Sequence, residues 1–545
     1  MDTLTMSEYI CSGYITVCVK WERYYYVWNK LVSMTETIVL GLDGANWGVI
    51  EDWLNDGHLP NIQSLREEGT HAISKSELPP VTCPNWKCYA TGKDPGGFGV
   101  FWWERINFEE QSILFPDETS FKSPEIWDYL ADEGCSWASL NMPTTYPPRD
   151  IPNGDIIAGG PLCADDGYTV DPALEDTLEQ QFDYRVFPET TFHDKDASQT
   201  QIDTTLEVLE SRFDVAEWYL DNHDPDFFHM TVFLLNYIQH FFWDGEPLRE
   251  AWEIIDERVG ALDDRCHNLV LISDHGSNEI ETVFYINNWL QQEGYLSTQS
   301  DVSDAFGNAG LTQERLVGIV SFLGLRDLAK KAPDFLKSLF PQEDGAKRDA
   351  KARIVRWEES LALASGQGPL YVSHDVDNRE AKIDQLITEL ENLETPDGNP
   401  VASRVLRGEQ AYSGEFLDIA PDIVIEQAPG VHITDGIGKS EIFTNPTRWR
   451  AENDRDGIFL AKGPEITNSE LDTVSILDIA PTLLHLNELS VPTDMQGKVL
   501  DIFESDSAKS SDTVTSRTPL HISDGAVGDA DAVEQRLEDL GYLEQ

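Results

Sequence analysis

The chain has 545 residues and a formal charge of -59, from 98 acidic against 39 basic side chains. That balance excludes a general nucleic-acid surface or an anionic-membrane surface, since either would repel it, while 40% hydrophobic and 10% aromatic residues exclude an acidic disordered protein. What remains is a folded chain with material for a large core, adapted to salt: in molar salt the Debye length falls to about 3 Å, and self-repulsion is largely screened.

Residues 1–33 stand apart from the rest. Lys20, Arg23 and Lys30 balance Asp2, Glu8 and Glu22, and the apolar stretch at 9–19 is too short for a membrane span and lacks a basic start and a cleavage site. Met34 opens a natural first strand, so the segment reads as an over-extended start or an appendage, not a secretion signal. Residues 38–42 form a continuous apolar run, the mark of a strand buried on both faces. Asp43 follows at its C-terminal end, where open α/β sheets bind ligands. Helical patterns come next, through Leu54 and over 60–68. The run LPPVTCPNWKCYATG at 78–92 puts Thr82 at a helix start, where free backbone N–H groups favour a phosphate. Two more buried strands are expected at 227–235 and 269–273, the second leading into Asp274-His275-Gly276. A further strand at 458–461 and a helix over 474–486, capped by Asp472 or Thr473, complete the core. Strands alternating with helices predict an α/β fold, a doubly wound and mostly parallel sheet flanked by helices.

Residues 107–223 and 280–421 do not fit that alternation and read as segments inserted over the site. The second contains a helical stretch at 314–340 and a basic island at 326–356, with nine Lys/Arg against five Asp/Glu. The island could draw in an anionic substrate or simply be a solvated helical hairpin pairing its own charges. Residues 504–530, rich in Ser, Asp and Thr, read as a flexible linker to a C-terminal helix at 531–545. Seven cysteines, an odd number with no C-x-x-C pair, point to reduced thiols and a cytoplasmic protein.

Asp43, Thr82, Asp274 and His275 are the parts of a metal-activated nucleophile. A threonine hydroxyl is a poor nucleophile at neutral pH and needs a base or a cation, and carboxylates with a histidine at strand ends would hold that cation. Alone, each Asp-Gly or His-Gly pair would be an ordinary turn. In order and after buried strands they read as a site.

These parts, with LNYIQHFFWD at 235–244, DGIFLAKGPEI at 456–466, SILDIAPTLLHL at 475–486 and the tail RLEDLGYLEQ, resemble the alkaline phosphatase superfamily. Within it the chain is most similar to the type I phosphodiesterase/nucleotide pyrophosphatase branch and its phosphohydrolase and phosphomutase relatives, and the acidic surface suggests a haloarchaeal source. The resemblance implies a hydrolase of phosphodiesters or nucleotide pyrophosphates that passes through a phospho-threonine on Thr82, with zinc or manganese held by Asp43, Thr82, Asp274 and His275. It also implies a second cation at His240. There the chain departs from its relatives, with Asn236 in place of an aspartate and Asn453 in place of a histidine. Neutral amides bind zinc poorly, so a weaker second site preferring Mg, Mn or Ca is expected. Asn85 and His432 are assigned to the substrate, a small anionic phosphate ester. A phosphomutase or a sulfate-ester or phosphonate hydrolase would use the same fold, and a binding or scaffold protein that had lost turnover is the alternative of another class. No nucleic-acid or membrane partner is expected, and homo-oligomerisation stays open.

Overall fold

The computed structural model describes residues 34–521, apart from 117–119, 162, 190, 192–196, 244, 300–350, 439–440, 506 and 511–512. The leader at 1–33, the helical stretch at 314–340, most of the basic island and the C-terminal helix at 531–545 therefore lie outside the described residues.

The main layer is an eight-stranded sheet. In chain order its strands are β1 (Thr35–Leu42), β2 (Thr70–Lys75), β3 (Trp137–Leu140), β4 (Gly154–Ile157), β5 (Phe227–Val232), β6 (Cys266–Ile272), β7 (Asp456–Lys462) and β8 (Ser469–Ser475). In space they run β8-β2-β7-β6-β1-β5-β3-β4. β1 lies between β5 and β6, parallel to both, and its inner residues Ile38, Val39, Leu40 and Leu42 are fully buried, as a both-faces-covered strand requires. The helices that matter below are α1 (Trp47–Asn55), α2 (Pro60–Glu68), α3 (Thr82–Thr91), α4 (Ile126–Asp132), α5 (Gln199–His223), α6 (Phe233–Phe242), α7 (Glu246–Asp263) and α8 (Ile479–Leu486). The expected mostly parallel, doubly wound α/β core is what the chain forms.

Four local expectations differ. The apolar run from Phe227 is strand only to Val232, and Phe233 already starts α6. Both elements are buried throughout, so neither leaves a polar face whose period would tell them apart. Residues 469–475 extend the sheet as β8 along β2, and α8 begins only at Ile479; Ser475, not Asp472 or Thr473, caps the turn before it, its Oγ accepting from Leu477 N at 3.2 Å. β3 and β4 belong to the main sheet, so 137–157 is core and not part of an insertion. The described residues of 504–521 are docked where a linker was expected: Ser516–Arg517 pairs with Val491–Pro492, Arg517 grips Glu133 at 3.0 Å, and His485 Nε2 meets Lys509 O at 2.9 Å.

β7 is the one strand that runs against its neighbours, antiparallel to both β2 and β6. The described residues of 280–434, joined by Ile106 and Ile113, build a second core around Phe284, Leu363, Leu370, Leu386 and Ile425. It is organised by a four-stranded sheet of Ala362–Ala364, Pro369–Val372, Ile423–Gln427 and Ala402–Arg407. Among the described residues no helix is long and apolar enough to cross a membrane.

Candidate metal centre and active site

The site gathers at the C-terminal ends of β5, β1 and β6, where the chain leaves neighbouring strands in different directions. β1 ends in Asp43-Gly44. Gly44 sits at φ +73°, and a Cβ there would fall 2.5 Å from Asn236 Oδ1, so both conformation and space require glycine. Its carbonyl is held by Gln239 Nε2 at 2.8 Å and Ser277 Oγ at 3.0 Å, and its N–H donates to Asp274 Oδ1 at 3.2 Å. This turn ties the three strand ends together.

Thr82 is the first residue of α3. The preceding Val81 caps the helix with extended backbone and no side-chain bond, so the Thr82 hydroxyl is not spent on capping. It donates to Asp43 Oδ1 at 3.3 Å and lies 3.1 Å from His275 Nε2. His275 Nδ1 faces Gly276 O at 2.8 Å, which puts the ring proton on Nδ1 and the lone pair on Nε2. That lone pair points at Asp274 Oδ2, 3.2 Å away, and Asp43 Oδ1, 3.7 Å away. All four residues are fully buried. Burial lowers the His275 pKa to about 3, so the ring is neutral. Burial raises Asp43 to about 7, with bonds from Trp86 and Thr82 drawing it back; Asp274 is pushed well above the usual carboxylate range by burial and then by Asp43.

Two carboxylates and an imidazole lone pair thus converge beside the Thr82 hydroxyl, and Asp274 Oδ2 has no hydrogen-bond partner among the described residues. Such a cluster costs several kcal/mol unless a cation occupies its centre. Ligand atoms of Asp43, Asp274 and His275 lie within 4.8 Å of one another, and the donor set of hard oxygens with one imidazole fits zinc or manganese.

On α6, His240 repeats the same arrangement. Its Nδ1 meets Ala451 O at 2.9 Å, its ring stacks on Trp449 with centroids 3.9 Å apart, and burial lowers its pKa to about 4. Asn236 and Asn453 are buried; the Asn453 amide finds no hydrogen-bond partner among the described residues, while Asn236 faces Asp43 and helps draw its pKa down. The nearby carboxylate, Glu452, is committed elsewhere, to His432 Nδ1, to Gln367 Nε2 and to Asn453 N at 2.7 Å. Burial alone would raise its pKa, but His432 outweighs that and leaves it below the usual range.

The Asn85 amide is engaged within its own loop. Its Oδ1 accepts from Glu77 N at 2.8 Å and its Nδ2 donates to Pro79 O at 2.9 Å and Val81 O at 3.1 Å, which commits the amide to shaping the loop before Thr82. His432 is engaged with Glu452, beside Trp449. Lys462 pairs with Glu68 and Asp263 at 2.8 and 2.9 Å, Lys93 with Asp494, and Lys351, from the basic island, with Glu104 at 2.7 Å and with Asp435. Cys83, next to Thr82, is fully buried, which pushes its thiol pKa up and leaves it unreactive. Sequence reasoning missed Trp86, whose Nε1 donates to Asp43 Oδ2 at 2.9 Å; its position four residues after Thr82, on the same helix face, was the available signal. Glu452, Trp449 and Gln239 carried no such signal.

A mostly parallel sheet with Thr82 at a helix start beside an Asp-Asp-His cluster at the strand ends is the architecture of the alkaline phosphatase superfamily. The chain belongs to the type I phosphodiesterase / nucleotide pyrophosphatase family, which it matches over residues 37–453. Among solved structures, phosphonoacetate hydrolase from Sinorhizobium meliloti 1021, bound to phosphonoformate or to phosphonoacetate, shares 13% identity with a TM-score of 0.53, over 82% of this chain and 94% of that one. Human ectonucleotide pyrophosphatase / phosphodiesterase 5 shares 13% identity with a TM-score of 0.48, over 86% of this chain and 97% of that one. No curated protein sequence matches the chain. Family and fold together support a hydrolase acting on phosphate esters.

Proposed function

We propose that the protein is a metal-dependent phosphodiesterase or nucleotide pyrophosphatase that works through a phospho-threonine on Thr82. The observation that carries this is the meeting of Thr82 Oγ1 with Asp43 Oδ1 and His275 Nε2 at 3.3 and 3.1 Å in a fully buried cluster. A divalent cation held by Asp43, Thr82, Asp274 and His275 would supply charge that favours the alkoxide and offsets the anionic phosphate oxygens. Thr82 Oγ gives up its proton to solvent and attacks phosphorus in line with the ester oxygen; the new O–P bond forms as the old one breaks, and the leaving oxygen takes a proton from solvent. Water then attacks the phospho-threonine, phosphorus parts from Oγ, and Oγ recovers a proton. Asn236, His240 and Asn453 flank this second step. With two neutral amides in that set, release of the phosphoryl group is slower than in a site with full ligand charge.

The test is an assay in molar KCl of a phosphodiester, a phosphomonoester and a sulfate ester, each with added Zn, Mn, Mg or Ca. Diester turnover should lead, fall to background in Thr82→Ala and persist in Thr82→Ser, and an acid quench should trap phosphate on the peptide containing Thr82. Turnover that survives Thr82→Ala would refute the nucleophile. Preference for the sulfate ester would refute the substrate class, and no turnover of any ester would favour a binding protein.

A further inference from the structure

Trp86 lies fully buried beneath the site. Its ring crosses the end of β1 so closely that a Cβ on Gly41 would fall 2.3 Å from the ring carbon Cη2, so residue 41 is glycine to admit the indole. Tyr89 meets the ring edge-on at 5.8 Å and His229 lies 6.0 Å away. The side chain is thus held by packing on several sides. From this fixed position Nε1 donates to Asp43 Oδ2 at 2.9 Å, while Thr82, one helical turn earlier on the same face of α3, donates to the other oxygen, Oδ1. One rigid helix therefore addresses both oxygens of one carboxylate.

We infer that Trp86 is a positioning residue for the cation site: its indole N–H fixes the rotation of the Asp43 carboxylate so that Oδ2 is occupied and Oδ1 alone is presented to the cation beside Thr82. The inference rests on the proposed cation site and adds to it the residue that sets its geometry. A hydrogen bond to a ligating carboxylate orients the ligand before the cation arrives, and loss of such a partner costs about 10–100-fold in metal affinity. Asp43 and Trp86 are both fully buried, so bulk solvent does not stand ready to replace the missing donor.

The experiment measures Mn(II) binding to the full chain in molar KCl, by the electron paramagnetic resonance of free Mn(II), together with kcat and KM on a phosphodiester. Trp86→Phe should weaken Mn(II) binding by about 10–100-fold and lower kcat with little change in KM. Trp252→Phe is the control for a packing defect, since Trp252 is buried in α7 away from the site, and it should bind Mn(II) as the wild type does. If Trp86→Phe does not fold, replacement of Trp86 by β-(3-benzothienyl)alanine keeps the bicyclic shape and lacks only the N–H, and should show the same loss. Wild-type affinity in either Trp86 variant overturns the positioning role, as does an equal loss in Trp252→Phe. A wild-type protein that binds no Mn(II), Zn(II), Mg(II) or Ca(II) would instead overturn the cation site itself.

Discussion

Breaking the buried ion cluster behind α3 should cost several kcal/mol, and unequally for its two sides. Lys87 and Glu125 have side chains 1% and 2% exposed, with Lys87 Nζ 2.6 Å from Glu125 Oε1 and 4.6 Å from the Phe121 ring centroid. The other oxygen, Oε2, accepts from Trp127 Nε1 and Arg149 Nη2, both at 2.7 Å, and Arg149 also grips Asp128 at 2.8 and 2.9 Å. Removing one partner of a buried pair costs about 3–5 kcal/mol, because the other charge stays desolvated. Lys87→Met leaves Glu125 with Arg149 and the Trp127 N–H, so it belongs near the low end, about 3 kcal/mol. Glu125→Gln withdraws the one carboxylate shared by both cations and belongs near the high end, about 5 kcal/mol. At roughly 2 cal/mol/K per residue, a chain of 545 residues has an unfolding entropy of about 1 kcal/mol/K, so Glu125→Gln should lower Tm by about 4–5 °C. The double variant should lose less than the sum of the two, because no unpaired ammonium remains. Burial alone would raise the Glu125 pKa, but Lys87 and Arg149 outweigh it and hold it below 4.5. Its contribution is therefore complete above that value and is lost as pH falls through the lower folded pKa. Thermal melts in molar KCl at neutral pH, then in acid, check both statements. A Glu125→Gln Tm equal to wild type at pH 7, or a gap that does not narrow in acid, would refute the reasoning.

Gly44→Ala would add a Cβ at φ +73° and 2.5 Å from Asn236 Oδ1, so it should cost about 1–3 kcal/mol and weaken Mn(II) binding; unchanged melting and affinity would show that the turn can relax. Asn236→Asp with Asn453→His restores ligand charge at His240 and should raise metal content from one tight ion per chain toward two and speed release of the phospho-threonine, whereas two tightly held zinc ions in the unmodified protein would contradict the premise. Salt dependence should be visible locally as well as globally. α5 and α7 form a groove lined by Asp203, Glu207, Glu210, Glu250, Glu253 and Glu257, so Glu207→Gln with Glu250→Gln should raise Tm in dilute buffer and leave it unchanged in molar KCl, where repulsion is screened; equal shifts in both would remove the electrostatic reading of the salt adaptation.

Asp43, Asp274 and His275 were legible because each follows a strand whose composition announces burial, and Thr82 because it opens a helix. An aspartate at the end of IVLGL, or Asp-His at the end of LVLIS, has few structural uses there, and the structure brings Asp43, Thr82, Asp274 and His275 to one point. Trp86 offered only its spacing from Thr82 as a signal, since an aromatic residue in a buried helix is ordinarily core and the direction of its N–H is what reveals a second task. The loop role of Asn85 was hidden for the opposite reason: a polar residue beside Thr82 suggests a substrate contact, and nothing in the sequence shows that the loop through Pro79 has carbonyls that need donors, which Asn85 supplies. The strand direction of β7 was also hidden, because Ile458 to Ala461 are buried on both faces and such a run reads alike in either orientation. β3 and β4 have only four residues each, too few for a period, within a stretch rich in turn residues.

These failures share a cause that bears on how the site works. Sequence pattern reports which residues are buried, whereas function here depends on which buried groups share a rigid body. α3 carries Thr82 at its first turn, Trp86 on the same face and Lys87 one position further round. Thr82 and Trp86 hold the two oxygens of Asp43; Lys87 is pinned to Glu125 at the N-terminus of α4. The position of Thr82 relative to Asp43, Asp274 and His275 is therefore set at both sides of one ten-residue helix, by a hydrogen bond to the sheet and by an ion pair to the neighbouring helix. A helix so held cannot rotate to follow a displaced carboxylate. The bond from Trp86 to Asp43 and the pairing of Lys87 with Glu125 accordingly act on one coordinate, the approach of Thr82 Oγ to the centre of the Asp43, Asp274 and His275 cluster.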